Sequence, residues 1–338
     1  LLSRGCFIIV REDTTQEVNV STDLNPHRKQ GVFTMEKWLK PLAVIATLVM
    51  FIVMIAGSLV TKTDSGLGCG NDWPLCNGKW VPEYTLASII EYTHRLITGI
   101  AGIVVIVFSV LCWRFYRGNQ EVRNLALFGL FFIVLESILG ASAVIWPQSS
   151  AVLALHFGFS LLAFTGVFLL TGFVLQRDRM ESMVQTGVSK GFRNWIWGVT
   201  IYAYGVVYLG AYVRHTGSSM ACTDWPLCQG KLIPELSGQV GIQFVHRLGA
   251  MLLLILLLLN LIYAVKHFKE TRRDLYGASI LAFVLVTLQV FSGGFVVLFQ
   301  LHLYATLLHS MIITILFGVI CYMCLQSLKT PRSNKLRK

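Results

Sequence analysis

Eight apolar runs, each long enough to cross a bilayer, alternate with shorter polar segments along the chain. A span needs about 20 predominantly apolar residues. The runs fall near residues 39–60, 88–113, 124–145, 151–175, 194–213, 240–265, 276–298 and 304–326. Lipid offers no partners to exposed N–H and C=O groups, so spans that satisfy their own backbone are helices. The pattern predicts an all-α integral membrane protein of eight transmembrane helices. Composition agrees, with 55% hydrophobic and 13% charged residues against about 25% charged in a soluble domain.

The runs come in two sets of four. Gly57-Ser58-Leu59-Val60-Thr61-Lys62-Thr63 is echoed by Gly210-Ala211-Tyr212-Val213-Arg214-His215-Thr216, and Trp73-Pro74-Leu75-Cys76 by Trp225-Pro226-Leu227-Cys228. His94-Arg95-Leu96 recurs as His246-Arg247-Leu248, and His156 as His309. The offset is 153 residues at Gly57 and His156 but 152 at His94. A tandem duplication with an even number of spans per copy gives two parallel four-helix repeats, unlike the inverted repeats of many transporters. The expected boundaries are 35–175 for the first repeat, 176–193 for a cytoplasmic linker, 194–326 for the second repeat and 327–338 for a basic cytoplasmic tail. Residues 1–34 are polar and mixed in charge, and Met35 precedes a short basic lead-in. They are expected to be a disordered leader or an upstream extension with no part in function.

The net charge of +11 raises the question of a nucleic-acid partner, and its distribution answers it. From Lys37 to Lys338, eighteen basic residues fall on one set of alternate loops and ends. The other set holds only Lys62, Lys79, Arg214 and Lys231. This is the positive-inside asymmetry, which places both termini in the cytoplasm and leaves no charge calling for nucleic acid. Cys69/Cys76 and Cys222/Cys228 then lie in the two long outer loops, where an oxidising environment favours two loop disulfides. Zinc competes for that reading, but neither pair has a His or third Cys at ligand spacing. No C-x-x-C-H occurs, which excludes covalent c-type haem. Cys112, Cys321 and Cys324 read as apolar packing.

The candidate chemistry is histidine. His94, His156, His246 and His309 lie near the starts of the four spans that run inward, so all share one outer level of the membrane. One intramembrane His can be a helix-to-helix hydrogen bond. Four at one depth, paired as His94/His156 and His246/His309, fit axial ligation of a haem iron in each half. Non-haem iron or another metal would call for nearby carboxylates. His27, His215, His267 and His302 read as solvated or structural. Arg95 and Arg247, each next to a candidate ligand, either snorkel to the interface or bond a haem propionate.

The halves differ at one chemically decisive position. Glu91 stands three residues before His94, where the second half has Gln243 before His246. A carboxylate there can accept a proton or stabilise positive charge developing on a substrate, and an amide cannot take the proton. The first half is therefore expected to perform chemistry and the second to carry electrons or hold structure. Glu136, opposite Gln289, is a second acid in the first half.

Three blocks carry a family resemblance: Gly66-Leu67-Gly68-Cys69-Gly70 with Trp73-Pro74-Leu75-Cys76, Ser88-Ile89-Ile90-Glu91-Tyr92-Thr93-His94-Arg95, and Gly210-Ala211-Tyr212-Val213-Arg214-His215-Thr216. From about Met35 to the last span, the chain resembles the haem A synthase family in its bacterial, eight-span form with paired outer-loop cysteines. The resemblance implies oxidation of the C8 methyl of haem O to the formyl group of haem A, for aa3-type cytochrome oxidase. It implies that His94 and His156 face the substrate haem, that Glu91 is catalytic, and that His246 and His309 ligate a haem b cofactor. It further implies a bacterial plasma-membrane location, a haem O-producing farnesyltransferase (haem O synthase) and cytochrome oxidase assembly as partners, an electron partner of unspecified kind, and room for a homo-oligomer.

Two other classes compete. A diheme b-type electron-transfer protein or quinone oxidoreductase would use the four His purely as ligands, but leaves the Glu91/Gln243 contrast without purpose. A thiol–disulfide oxidoreductase would use the loop cysteines, but neither pair has C-x-x-C spacing and the histidines stay unexplained.

Overall fold

The computed structural model describes residues 26–82, 84–146 and 148–331. It divides into two units, Leu1–Trp38 and Leu39–Lys338. Of the first, only helical backbone from Pro26 onward is described, with side chains from Lys37; the helix packing, the loops and the cavity all belong to the second. Among the described residues are eight long helices: α1 Pro26–Lys62, α2 Leu86–Phe115, α3 Gln120–Ile145, α4 Ser150–Gln176, α5 Lys190–His215, α6 Gly238–His267, α7 Arg273–Leu298 and α8 Leu303–Ser327. All eight are long and apolar enough to cross a membrane, and the described residues contain no strand. The eight apolar runs are thus eight helices, each longer than its run, by two to six residues except in α1, which starts 13 residues earlier than expected. The helix α1 begins inside the segment read as a leader. The expectation for residues 1–25 lies outside the described residues, as do residues 332–338 of the tail.

Side-chain caps set several helix starts. Thr85 Oγ1 accepts from Ser88 N at 3.2 Å, Asn119 Oδ1 from Val122 N at 3.1 Å, and Ser189 Oγ from Phe192 N at 3.2 Å. Each satisfies a first-turn donor that the helix itself leaves free.

Burial separates inner from outer helices. Of the apolar window in each span, 61% is buried in α4 and 50% in α8, against 11% in α3. The first two form the centre, and α3 turns most of its surface outward to lipid. Since lipid tails are as apolar as leucine, helices here associate by close fit and hydrogen bonds rather than by hydrophobic burial. Both devices are present. Gly129 of α3 and Gly166 of α4 meet so closely that a Cβ at Gly166 would lie 2.7 Å from the Gly129 Cα. Thr171 Oγ1 of α4 donates to Ala43 O of α1 at 2.9 Å and accepts from Thr47 Oγ1 at 2.8 Å.

At the helix ends opposite the long loops, a buried ion pair closes the bundle. The Arg272 and Asp274 side chains are fully buried and paired through two bonds, of 3.0 and 2.7 Å. Arg272 also donates to Gln326 O at 2.7 Å and Thr186 O at 3.4 Å, so one guanidinium ties the α6–α7 turn to the end of α8 and to the segment before α5. Gln185 N donates to Thr271 O at 3.1 Å in the same place. Removing one member of such a pair strands a buried charge, at about 3–5 kcal/mol. Asp274→Ala is expected to lose stability on that scale in detergent thermal unfolding; an unchanged midpoint would show that the pair is not a fastening.

Candidate functional site

The long loop between α1 and α2 is rolled onto the first turns of α2. A Cβ at Gly68 would fall 2.4 Å from the Ala87 carbonyl carbon, so only glycine lets the two backbones meet. Cys69 and Cys76 are joined as a disulfide. Cys76 and Lys79 exchange backbone bonds around a turn in which Asn77 and Gly78 have φ of 51° and 74°. The loop between α5 and α6 repeats this, with Cys222 and Cys228 joined and Cys228 paired with Lys231. Both cysteine pairs expected from the sequence are disulfides.

Each loop is clamped by two side chains one helical turn apart. Glu91 accepts from Cys69 N at 2.8 Å and from the Arg95 guanidinium. Arg95 then donates to Asp72 O at 2.9 Å and Leu75 O at 2.8 Å. On α6, Gln243 Oε1 accepts from Cys222 N while its Nε2 donates to Ser219 O at 2.7 Å. Arg247 donates to Asp224 O, Leu227 O and Cys222 O at 2.9, 2.7 and 3.0 Å. The arginines read as haem-propionate contacts thus make two (Arg95) and three (Arg247) bonds to loop carbonyls, and Arg95 Nε stays buried without a partner. Asp224 completes the second loop by accepting from Gln229 N and Gly230 N at 2.6 and 2.8 Å. The Gly230 N–H, with lesser help from Gln229, holds its carboxyl below the usual carboxylate range. A depressed pKa stabilises above the ordinary carboxylate range, and that contribution fades as pH falls through the lowered value.

The four membrane histidines each lie against a glycine of the preceding helix. An added Cβ would come within 3.2 Å of His94 at Gly57, 3.2 Å of His156 at Gly140, 2.7 Å of His246 at Gly210 and 3.2 Å of His309 at Gly293. In every case the nearest atom is ring Cε1. The imidazole is thus seated on bare backbone, which restricts its tilt. The glycine pairs are visible in the internal match of the sequence, but their role as seats was missed, because it depends on which helices are neighbours.

Around the rings the halves differ. His309 Nδ1 lies 2.9 Å from Ser292 Oγ, and that hydroxyl donates to Gln289 O at 2.9 Å. The Ser292 hydroxyl thus lies between Gln289 O and His309 Nδ1, while His309 Nε2 lies 3.1 Å from Gln289 Nε2. Such a partner fixes the tautomer of a metal-binding imidazole. His156 has no such chain: Leu139 replaces Ser292, and its Nε2 lies 4.0 Å from Glu136 Oε1. The Nδ1 atoms of His94, His156 and His246 are buried without a partner.

All four histidines, Glu91, Glu136, Gln243 and Gln289 line one cavity of about 1900 Å³. An ordinary small-molecule pocket holds about 300–1,000 Å³, so this one has room for more than one large ligand. Among the described residues no group of three or more His, Cys, Asp or Glu could hold a bare metal ion. Of the other described histidines, His267 packs on Tyr263 and His302 on Tyr304, while His215 lines the same cavity, as do Lys62 and Arg214. The loop clamp yields a prediction. Arg247→Ala should speed proteolytic cleavage within residues 216–237 while the helices stay protected, and acid should act in the same direction through Asp224. Cleavage at the wild-type rate would remove Arg247 as the clamp.

A family model described as "Cytochrome oxidase assembly protein" (COX15-CtaA) matches residues 40–89 and 83–321. A protein of Geobacillus kaustophilus named "Heme A synthase" is 44% identical over 300 residues, covering 88% of this chain and 94% of its own. Proteins of the same name from Bacillus cereus and Bacillus anthracis are 43% identical over 290 residues, covering 86% of this chain and 93% of theirs. With the model matching most of its length and relatives aligned nearly end to end, the chain belongs to the COX15-CtaA family of cytochrome oxidase assembly proteins.

Proposed function

We propose that the chain is a haem A synthase, which oxidises the C8 methyl group of haem O to a formyl group and so supplies haem A for aa3-type cytochrome oxidase. The names of its relatives support the activity. The observation that carries the mechanism is the contrast of Glu91 with Gln243. Both hold the backbone N–H of the loop's first cysteine, on equivalent turns of α2 and α6, and both line the cavity. The shared bond is structural, so the difference left over is the carboxylate. Only the first half has a proton acceptor there.

In this reading His94 and His156 would face the substrate haem, and His246 and His309 would hold a haem b cofactor. The cavity fits that assignment. It is large enough for two such groups, four glycine-seated imidazoles line it, and His309 Nδ1 has the Ser292 hydroxyl as a polar neighbour at 2.9 Å. Haem iron supplies the redox chemistry when bound. Taking a methyl to a formyl group breaks two C–H bonds and adds one oxygen atom, the electrons leaving through the haem iron that would be bound there, and a base beside the methyl would take up a proton as a C–H bond breaks. Glu91 takes up a proton at its carboxylate, and the Arg95 guanidinium beside it holds the anion ready between turnovers. The unpartnered Nε of Arg95 leaves one buried donor for a propionate of the substrate. Glu136, within 4.0 Å of His156, is a second acid on the other side of the first-half site.

The same proposal covers the molecule's setting. It is a multi-pass protein of the bacterial plasma membrane with two parallel four-helix repeats, residues 35–175 and 194–326, joined by the linker 176–193. Both termini are cytoplasmic by the distribution of basic residues. A farnesyltransferase making haem O precedes it, and cytochrome oxidase assembly follows.

Gln243 holds its loop in the second half, so Glu91→Gln is a substitution that spares structure and removes the proton acceptor. In a host that makes haem O but no haem A, wild-type protein should yield haem A in extracted haems. Glu91→Gln should fold with its haem b and lower haem A formation by about 100- to 10,000-fold. Haem A at wild-type levels would take the catalytic role from Glu91, and protein that loads haem b in both halves yet makes no haem A would turn the reading to electron transfer. The glycine seats give a second test. Gly210→Ala places a methyl 2.7 Å from the His246 ring, whereas a Cβ at Gly205 meets nothing within 4 Å. The first should lower haem b content and shift its absorption; the second should leave both unchanged. Equal content in the two variants would show that the seat does not position His246.

A further inference from the structure

The cavity is deeper in one half than in the other. Along α2 its lining runs past His94 through Gly99, Gly102 and Ile103 to Ile106, while along α6 it stops at Leu253. Leu253 corresponds to Ala101, five residues short of Ile106, a difference of about 7 Å at 1.5 Å per residue. The cause is side-chain size. Gly99 and Gly102 stand where the second half has Met251 and Leu254. A Cβ at either glycine meets nothing within 4 Å, so the space is open and not a close helix contact. The extension is walled by large apolar residues, with Ile103 and Ile106 on α2 and Val134 on α3 at 66%, 50% and 58% exposure. They are unpacked for lack of a neighbour.

We propose that this groove receives the farnesyl-derived tail of haem O and thereby selects and orients the substrate. The inference rests on the reading that the first half is the substrate site. Three observations favour this occupant. The groove is continuous with the part of the cavity holding His94 and His156, where the buried His94 Nδ1 and His156 Nδ1 are unpartnered. It occurs in the half that carries Glu91. Its counterpart carries the bulkier Met251 and Leu254 in place of the two glycines. Lipid is as apolar as the groove, so the tail gains little from burial as such. What the groove supplies is shape: a macrocycle whose tail lies along α2 can no longer rotate in its plane, and one methyl is presented to Glu91.

The test reads binding, not turnover. Full-length protein carrying Glu91→Gln is purified from a host making haem O, and its farnesylated haem (haem O plus any haem A) is measured against haem b by mass. Adding Gly99→Met with Gly102→Leu, which copies the second half's residues, should lower farnesylated haem by at least about tenfold while haem b and its spectrum persist. Gly102→Ala, which leaves most of the groove open, should retain it and guards against a folding defect. Wild-type amounts of farnesylated haem in the filled variant would overturn the groove. His94→Ala with His156→Ala separates the levels of the argument. If that pair leaves farnesylated haem unchanged, the substrate is not in the first half, and the reading beneath the groove fails with it.

Discussion

Imidazole on glycine is the contact around which the site is arranged. In a bilayer two helices gain almost nothing by hiding apolar surface from each other, so their separation is set by what lies between them. Here a bare backbone faces each ring, at Gly57, Gly140, Gly210 and Gly293. The same four contacts do two things. They draw α1 to α2, α3 to α4, α5 to α6 and α7 to α8, and they present four rings to a common cavity at restricted tilt. Architecture and chemistry share these atoms, and neither can be altered alone.

The two long loops are bound to this arrangement by polar groups of the helices that carry His94 and His246. Glu91 and Arg95 on α2, and Gln243 and Arg247 on α6, bond backbone atoms around each disulfide. A loop held by one helix turn moves with that turn. The roof of the cavity and its proposed catalytic carboxylate are therefore mechanically one piece.

The helices were legible because lipid imposes a single rule on every span, and apolar length reveals it. The four histidines and the Glu91/Gln243 contrast were legible because the chain carries its own comparison, two sets of matched motifs in which the histidines recur and the acid does not. The loop clamp was not. Arg95 and Arg247 bond carbonyl oxygens 20 or more residues away, and a carbonyl is the same at every residue, so no side-chain pattern announces it. The glycine seats lay in between: the glycines stood paired in the internal match, but their meaning required knowing which helix each one faces. Ser292 was hidden for a further reason, since its counterpart Leu139 makes the position look like ordinary apolar drift.

The central position of α4 and α8 lets the two halves differ around a shared core. These are the most buried spans, they touch each other, and each carries one of the candidate ligands, His156 and His309. Because both lie in one chain, a substitution on one side leaves the other unchanged. Two identical subunits packed along the same seam would change both sides at once. One chain can therefore hold an acid at Glu91 and an amide at Gln243 about a common centre.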